Sequence, residues 1–499
     1  MLHMGLMNFL KHQPLWMLLL LYVLVWTTSS LVSNPNLDPY GDMLENFAWG
    51  QFFSWGELKH PPLLGWVTSF WFKVIPQGLA GYFLLAYLNA AVGLIGIYVL
   101  GRVYGLANLR TSAVLLLVLA LPYCTLAGKF NANTILLSIW PWIAVCWKLS
   151  VRSSNKGSWL YAGLLGVIAA LGVLAKYYTG VLLLSLALIT VMSPLGREWL
   201  LSLKPWFAFL IFSIVLAPHG IWLQENDFVT LAYVQSQGTG SIDFLQLGKF
   251  ALTPLGYGLL PLIALLIILP EKRLFNVIGA WLPRGVFDEL FWLCALPLLI
   301  SLLFGLTGFV SLSSPWAIPL GFGFTLLWLR NLVAHPGYEQ MHEINQRVQN
   351  VFLGFLCLVM VLSPLYAWHQ ARTSHGNYYL PTEEAVYKAE SLWFDRFNED
   401  YQWVAGDFPK SAAVVFYGSV EAEILPAIPQ RPRSDGMIFC HLGLIGDKPP
   451  TSFCAVQAER WSRSRRDQVL TMEFSIAKRG PRFIHEVPHL YRVYFFRVN

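Results

Sequence analysis

A polytopic α-helical membrane protein carrying a small C-terminal α/β domain is the fold class this sequence predicts. Three observations predict it. Charged residues make up 12% of the chain and hydrophobic residues 56%, against roughly 25% charged in ordinary soluble domains. Long apolar runs recur as far as residue 368, and from residue 369 the composition turns to charged, proline-containing sequence without another such run. The net charge of +6 is scattered through loops, which argues against a nucleic-acid-binding face.

The apolar runs lie near residues 14–32, 79–100, 112–128, 132–149, 159–175, 177–193, 205–223, 251–270, 290–310, 314–331 and 350–368. Each approaches the length that crosses about 30 Å of hydrocarbon, so about eleven transmembrane helices are expected. The first run lacks a suitably placed small-residue cleavage site and is followed by further spans, so it reads as an anchor and not as a signal peptide. Basic residues test the count. One side of the expected topology collects Lys11, Arg102, Arg110, Lys148, Arg152, Lys156, Arg197, Lys204, Lys272, Arg273, Arg284, Arg330 and Arg347, and the other only Lys59, Lys73, Lys129, Lys176 and Lys249. The positive-inside bias then places the N-terminus in the cytoplasm. An odd span number puts the first loop, residues 33–78, and the soluble unit, residues 369–499, outside, with residues 1–368 as the transmembrane domain.

Within the C-terminal unit, PTEEAVYKAESLWFDRF (Pro381 to Phe397) has helical spacing, while AAVVFYG (412–418) and LYRVYFFRV (490–498) read as strands. Cys124, Cys146, Cys294 and Cys357 fall in apolar segments and are expected to be small buried side chains. Cys440 and Cys454, on either side of a loop containing GDKPP, are expected to form a disulfide in an oxidising compartment.

The first loop contains DPYGDMLENFAWGQFFSWGELKHPP (38–62). Asp38 followed by Pro39 is a helix start, with the aspartate capping. A helix running on towards Ser54 places Asp42, Glu45 and Trp49 on one face, so two carboxylates share a stripe. The plain alternative is a pair of solvated loop acids. In the following PLLGWVTSFWFKVIP, Leu63, Leu64, Trp66, Val67, Phe70, Trp71 and Val74 fall on one side, as in a helix lying in the membrane interface. The alternative is a short distorted span, which would invert the topology downstream.

Further polar groups emerge on the same side: Lys129, Asn131 and Asn133 in GKFNANT, Lys176, Tyr177 and Tyr178 in LAKYYTG, His219 in APHGIWLQEND, and Ser313, Ser314 and Trp316 in SLSSPW. Taken singly, each fits a snorkelling anchor, a cap or an interfacial aromatic. Lys129 and Lys176 break the positive-inside trend in short turns beside the membrane, and a lipid-borne phosphate would account for both.

A first loop with Asp42 ahead of an aromatic-rich stretch and then KHPPLLGW, followed by KFNANT, LAKYYTG, APHGIWL and SPWAIPL, resembles bacterial glycosyltransferases of family 39. These are relatives of the aminoarabinose, galacturonic acid and protein mannosyl transferases of the membrane-embedded GT-C class. The resemblance covers roughly residues 35–330. Family members open this loop with an adjacent acidic pair, whereas here Met43 follows Asp42 and the second acid is displaced to Glu45. The resemblance implies inverting transfer of a sugar from a polyprenyl phosphate donor to a lipid, glycan or protein acceptor. The reaction would take place at the outer face of the bacterial inner membrane. It casts Asp42 as the base and Glu45 as a second acid that orients the acceptor or pairs with a lysine. Lys129 and Lys176, helped by His219 and Tyr177, would meet the donor phosphate, with Lys59, His60, Asn131 and Asn133 as further substrate-binding candidates.

The sequence fixes no cofactor. Asp42, Glu45, His60 and His219 supply oxygen and nitrogen ligand types without metal-ligand spacing, so a divalent ion is left open. Two other classes stay in view. A transporter or flippase would place ionisable residues in mid-membrane and show related halves with broken helices. A non-catalytic assembly partner would not need bases and carboxylates gathered at one face.

Overall fold

The computed structural model describes residues 14–106, 108–152, 157–238, 241–269, 277, 279–285, 287–308, 310–333, 338–373, 376–445, 452–465 and 467–498. Lys11, Lys156, Lys272 and Arg273 of the charge comparison, and the GDKPP loop, lie outside the described residues.

Among the described residues, six helices are long and apolar enough to cross a membrane: Leu15–Ser33, Leu79–Val103, Gly157–Ala175, Lys204–Glu225, Glu289–Leu306 and Met341–Thr373. Counting three bent pairs as single spans raises the number to nine, which is short of the expected eleven. The runs that fall short of a straight span have local causes. The run at 132–149 loses its start to a turn built on Asn131, whose Oδ1 accepts from the amides of Asn133 and Thr134, leaving a 17-residue helix, Leu136–Arg152. The run at 314–331 divides into a 3₁₀ turn, Ser314–Ala317, and a short helix, Phe324–Val333. The run at 112–128 bends by 82° after Leu117, ahead of Pro122. At Ser193 the chain turns by 103° into Pro194–Leu200, with the serine hydroxyl capping Gly196 N.

The chain divides into two compact units. The first comprises residues 1–26, 55–63 and 86–359. Helices 157–175 and 204–225 approach so closely that a Cβ on Gly166 would lie 2.3 Å from the Ala208 carbonyl oxygen, the small-residue contact that lets apolar helices pack without a hydrophobic driving force. Ion pairs tie helix ends: Lys148 bonds Glu289 at 2.6 Å, Tyr104 donates to the same carboxylate at 2.7 Å, and Arg330 pairs with Asp288 at 2.5 Å.

The second unit comprises residues 27–54, 64–85 and 360–499. Its sheet is five-stranded, in the order β2-β1-β3-β5-β4, where β1 is Trp403–Gly406, β2 Glu423–Ile424, β3 Gly436–Leu444, β4 Val469–Ile476 and β5 His489–Phe496. β1 runs parallel to β2 and β3, while β5 pairs antiparallel with β3 and β4. Period-two alternation gives each face its own core. Trp403, Ala405, Ile438, Tyr494 and Phe496 pack with Ala455 and Ala458 of helix Phe453–Arg463. On β5, Phe495 instead meets Trp393 of helix Thr382–Phe394 at 5.2 Å between rings. Residues 31–37 are tied to the rest of this unit by hydrogen bonds: the Asn36 side-chain amide donates to the carbonyls of Asn377 and Leu380, Lys478 donates to the Pro35 carbonyl, and Arg482 to the Leu31 carbonyl.

Helix Thr382–Phe394 and strand β5 meet the sequence expectation, and Cys440 and Cys454 are disulfide-bonded. AAVVFYG does not form a strand. It lies in helix Phe408–Tyr417, because Ser411 through Phe416 are buried on every side and such a run carries no period to separate helix from strand. The decisive signal is Pro409 in the first turn after Asp407. Cys357 is exposed, unlike the other three free cysteines, since its helix is covered by protein over only a small part of its surface. The helix expected from Pro39 to Ser54 is confined to Asp42–Trp49, and Leu63–Phe72 has ten residues, about 15 Å of rise, too short to cross a membrane.

Burial, reinforced by Lys410, lowers the imidazole of His441 to about 3 and that of His489 to about 4. Both lie below the ordinary value of about 6.5, so the unfolded chain binds more protons as pH falls through this window. Stability of the sheet domain is therefore full above about pH 6.5 and is lost progressively towards the folded-state values. The protection of amide hydrogens in peptides from 403–496 of the full-length protein, taken relative to the intrinsic exchange rate at each pH, should fall between neutral and mildly acidic pH, and H489Q should flatten that dependence.

Candidate functional site

The acidic helix, Asp42–Trp49, begins where Gly41 adopts φ 78°, a left-handed conformation open to glycine. Asp38 still caps it from outside: Oδ1 accepts from the amides of Tyr40 and Asp42 at 3.1 and 3.3 Å, and Oδ2 from Met43 at 2.9 Å. Carbonyls of the helix are engaged too, Tyr82 donating to Met43 O and Thr68 to Asn46 O. Asp42 occupies the first helical position and is half-buried, whereas Glu45 is 3% exposed. The pair is thus not a set of solvated loop acids, and the negative groups sit in the first turn, where the helix dipole favours them.

The cationic and imidazole groups belong to the other unit. Lys176, 9% exposed, places its ammonium 2.5 Å from Asn133 Oδ1 and 4.3 Å from the centroid of the Trp316 ring. The aromatic wall continues from Trp316 to Tyr178 and on to Trp140. The Asn133 amide oxygen and the indole face both help orient the ammonium. Lys129 is half-buried in the turn before Asn131, its carbonyl accepting from Thr134. Asn131 itself is committed to the turn.

His219 has a different role from the one expected. Its Nδ1 lies 2.6 Å from the Trp55 carbonyl oxygen and its Nε2 2.8 Å from Tyr177 Oη. A carbonyl only accepts, so Nδ1 carries the proton and Nε2 accepts from the tyrosine, which in turn is 2.8 Å from Thr230 Oγ1. Trp222 stacks on the imidazole, and its ring fills the space where a Cβ on Gly56 would go. Tyr177 and His219 therefore work together to hold the backbone at 55–56, the start of the segment bearing Lys59 and His60. His60 packs edge-on to Tyr233, and its carbonyl accepts from the Glu57 amide. Among the described residues, no group of three or more His, Cys, Asp or Glu side chains could hold a metal.

Glu57 was missed by the sequence expectation. Burial raises its carboxyl to about 8, and its place in the GELKH turn, two residues ahead of Lys59, was the available signal. An apolar cavity of about 310 Å³, lined in part by Trp147, Leu165, Leu186, Phe209 and Phe212, opens further along the bundle. It reaches helix Thr179–Met192 at Leu183, about 6 Å of helical rise from the start of that helix, which follows Lys176 by three residues.

Residues 59–222 match the family model described as dolichyl-phosphate-mannose-protein mannosyltransferase. No curated protein sequence matches significantly. Among solved structures, ArnT from Cupriavidus metallidurans bound to undecaprenyl phosphate aligns with a TM-score of 0.58 at 10% identity, over 95% of this chain and 97% of that one. Its apo state aligns at 0.57 with the same identity and coverage. The chain has the GT-C fold, and the resemblance to family 39 glycosyltransferases carried by its loop motifs is borne out.

The Glu57 value gives a direct test. Infrared difference spectra between about pH 7 and about pH 9 should show a carboxylic acid losing its proton, a signal that E57Q removes.

Proposed function

We propose that this GT-C membrane protein is a glycosyltransferase that moves a sugar from a polyprenyl phosphate donor to a hydroxyl-bearing lipid, glycan or protein. The reaction would occur on the outer face of a bacterial inner membrane, with the N-terminus cytoplasmic and the sheet domain outside. The observation that carries this reading is the Lys176 ammonium, buried within the family-matched segment and placed beside Asn133 Oδ1 and the face of the Trp316 ring. Such a group suits a phosphate monoester as negative charge grows on it. The undecaprenyl phosphate bound by ArnT supports the same class of donor.

In this scheme the acceptor oxygen forms the new bond to the anomeric carbon, with inversion, while its proton passes to the Asp42 carboxylate. The bond from the anomeric carbon to the phosphate oxygen breaks, and Lys176 and Lys129 stabilise the departing polyprenyl phosphate. Glu45 orients the acceptor. Asn133 holds Lys176, and Tyr177 and His219 hold the segment carrying Lys59 and His60, which contact substrate. The apolar cavity accommodates part of a prenyl tail.

Mass spectrometry of envelope lipids, polysaccharides and glycoproteins from cells with and without the protein should reveal a product lacking one sugar and an accumulated polyprenyl-linked sugar. An unchanged profile would remove the proposal. Alkaline phosphatase fused after Asn377 should be active, and a cytoplasmic reporter there silent.

With native membranes as the source of donor, release of free polyprenyl phosphate should fall about a hundredfold to ten-thousandfold in D42N, with normal protein levels. E45Q should lie between that and wild type. K176M should insert normally and use donor poorly. D38N should keep its rate but lose about 1 kcal/mol of stability, because a side-chain amide replaces one of the two accepting oxygens.

A further inference from the structure

The sheet domain carries a buried polar chain that the scheme above does not use. Lys410 Nζ lies 2.7 Å from His441 Nδ1, and His441 Nε2 lies 3.0 Å from His489 Nδ1. The lysine amine donates, so His441 accepts at Nδ1 and donates from Nε2. Lys410 sits in the first turn of helix Phe408–Tyr417, His441 on β3 and His489 at the start of β5. The chain therefore ties that turn to two strands, with Asp407 as the nearby counter-charge.

The opposite flank of the same turn meets the acidic helix. A Cβ on Gly41, the residue before Asp42, would lie 2.5 Å from Pro409 Cβ. Phe408 faces Trp49 at 6.1 Å and Phe416 faces Phe47 at 5.0 Å between ring centroids. Gln77 donates to the Phe416 carbonyl from the other flanking segment. At Gly41 a rigid proline ring bears directly on backbone, with no flexible side chain between them to absorb a displacement.

We propose that Lys410, His441 and His489 are positioning residues for Asp42. They fix the first turn of helix 408–417 against Gly41, and so fix the start of the acidic helix. Directional hydrogen bonds to two strands set the rotation of the turn as well as its distance, which apolar contact alone leaves free to slide. The sheet domain is then a working part of the acidic site. This rests on Asp42 acting as the base.

The test compares K410M, H441F and G41A with wild type in the full-length protein, with K410R as the conservative control. Amide exchange of residues 42–49 is read beside that of β4 and the membrane helices. Release of polyprenyl phosphate is followed in native membranes. The expected result is faster exchange confined to 42–49 and a rate reduced by about tenfold to a hundredfold, since displacements near 1 Å carry costs of that order. K410R should restore most of both. G41A perturbs the contact from the far side, so it keeps the test open where a sheet-domain variant fails to fold. Unchanged exchange at 42–49 in K410M and G41A overturns the positioning role, even where D42N confirms the base. Faster exchange at 42–49 with an undiminished rate also overturns the positioning role, while the D42N rate alone decides whether Asp42 is the base.

Discussion

Lipid offers a polar group no hydrogen-bond partner, and much of this bundle is arranged by that constraint. Where opposite charges meet, they neutralise one another and lock helix ends: Lys148 with Glu289 and Tyr104, and Arg330 with Asp288. Around His219 the solution is a chain of neutral groups running from Thr230 through Tyr177 and the imidazole to the Trp55 carbonyl. Both imidazole nitrogens are consumed, so a histidine that looked like a phosphate ligand becomes a strut for the KHPP segment. Lys176 meets the same constraint by another route. An amide oxygen and an indole face help hold its ammonium in place.

The acidic helix poses a different problem, because eight residues are too few for a helix to persist alone. It persists through partners distant in sequence. Asp38 satisfies its first amides, Tyr82 and Thr68 bond its carbonyls, and Phe47 packs among Phe72 and Phe416. Two of the sequence segments that supply these partners lie more than three hundred residues apart, in the first loop and the C-terminal domain. A loop insertion and a soluble appendage are in this sense one folding unit.

Several features were legible in the sequence because their signals are local. The apolar runs identify a membrane bundle, Asp38 identifies a cap, and the spacing of Asp42 and Glu45 survives in a helix shorter than expected. Strand β5 and helix Thr382–Phe394 follow from period and punctuation. Errors arose where period carries no information. AAVVFYG, buried on all sides, looks equally like strand or helix, and the apolar runs at 112–128 and 314–331 do not record that the chain bends inside them.

By itself, the sequence determined the class of protein, the loop that carries the acids, and the motifs that resemble family 39, because hydrophobic length, capping and short motifs are properties of neighbouring residues. Only the tertiary structure decided which polar groups are brought together and which are buried. Glu57 is an ordinary carboxylate in the sequence and a group raised to about 8 in the fold, and Lys410, His441 and His489 are unremarkable until three separate elements bring them into one chain. The physical reason is common to both cases: burial and hydrogen-bond partnership depend on residues far apart in the chain, and no local pattern encodes them.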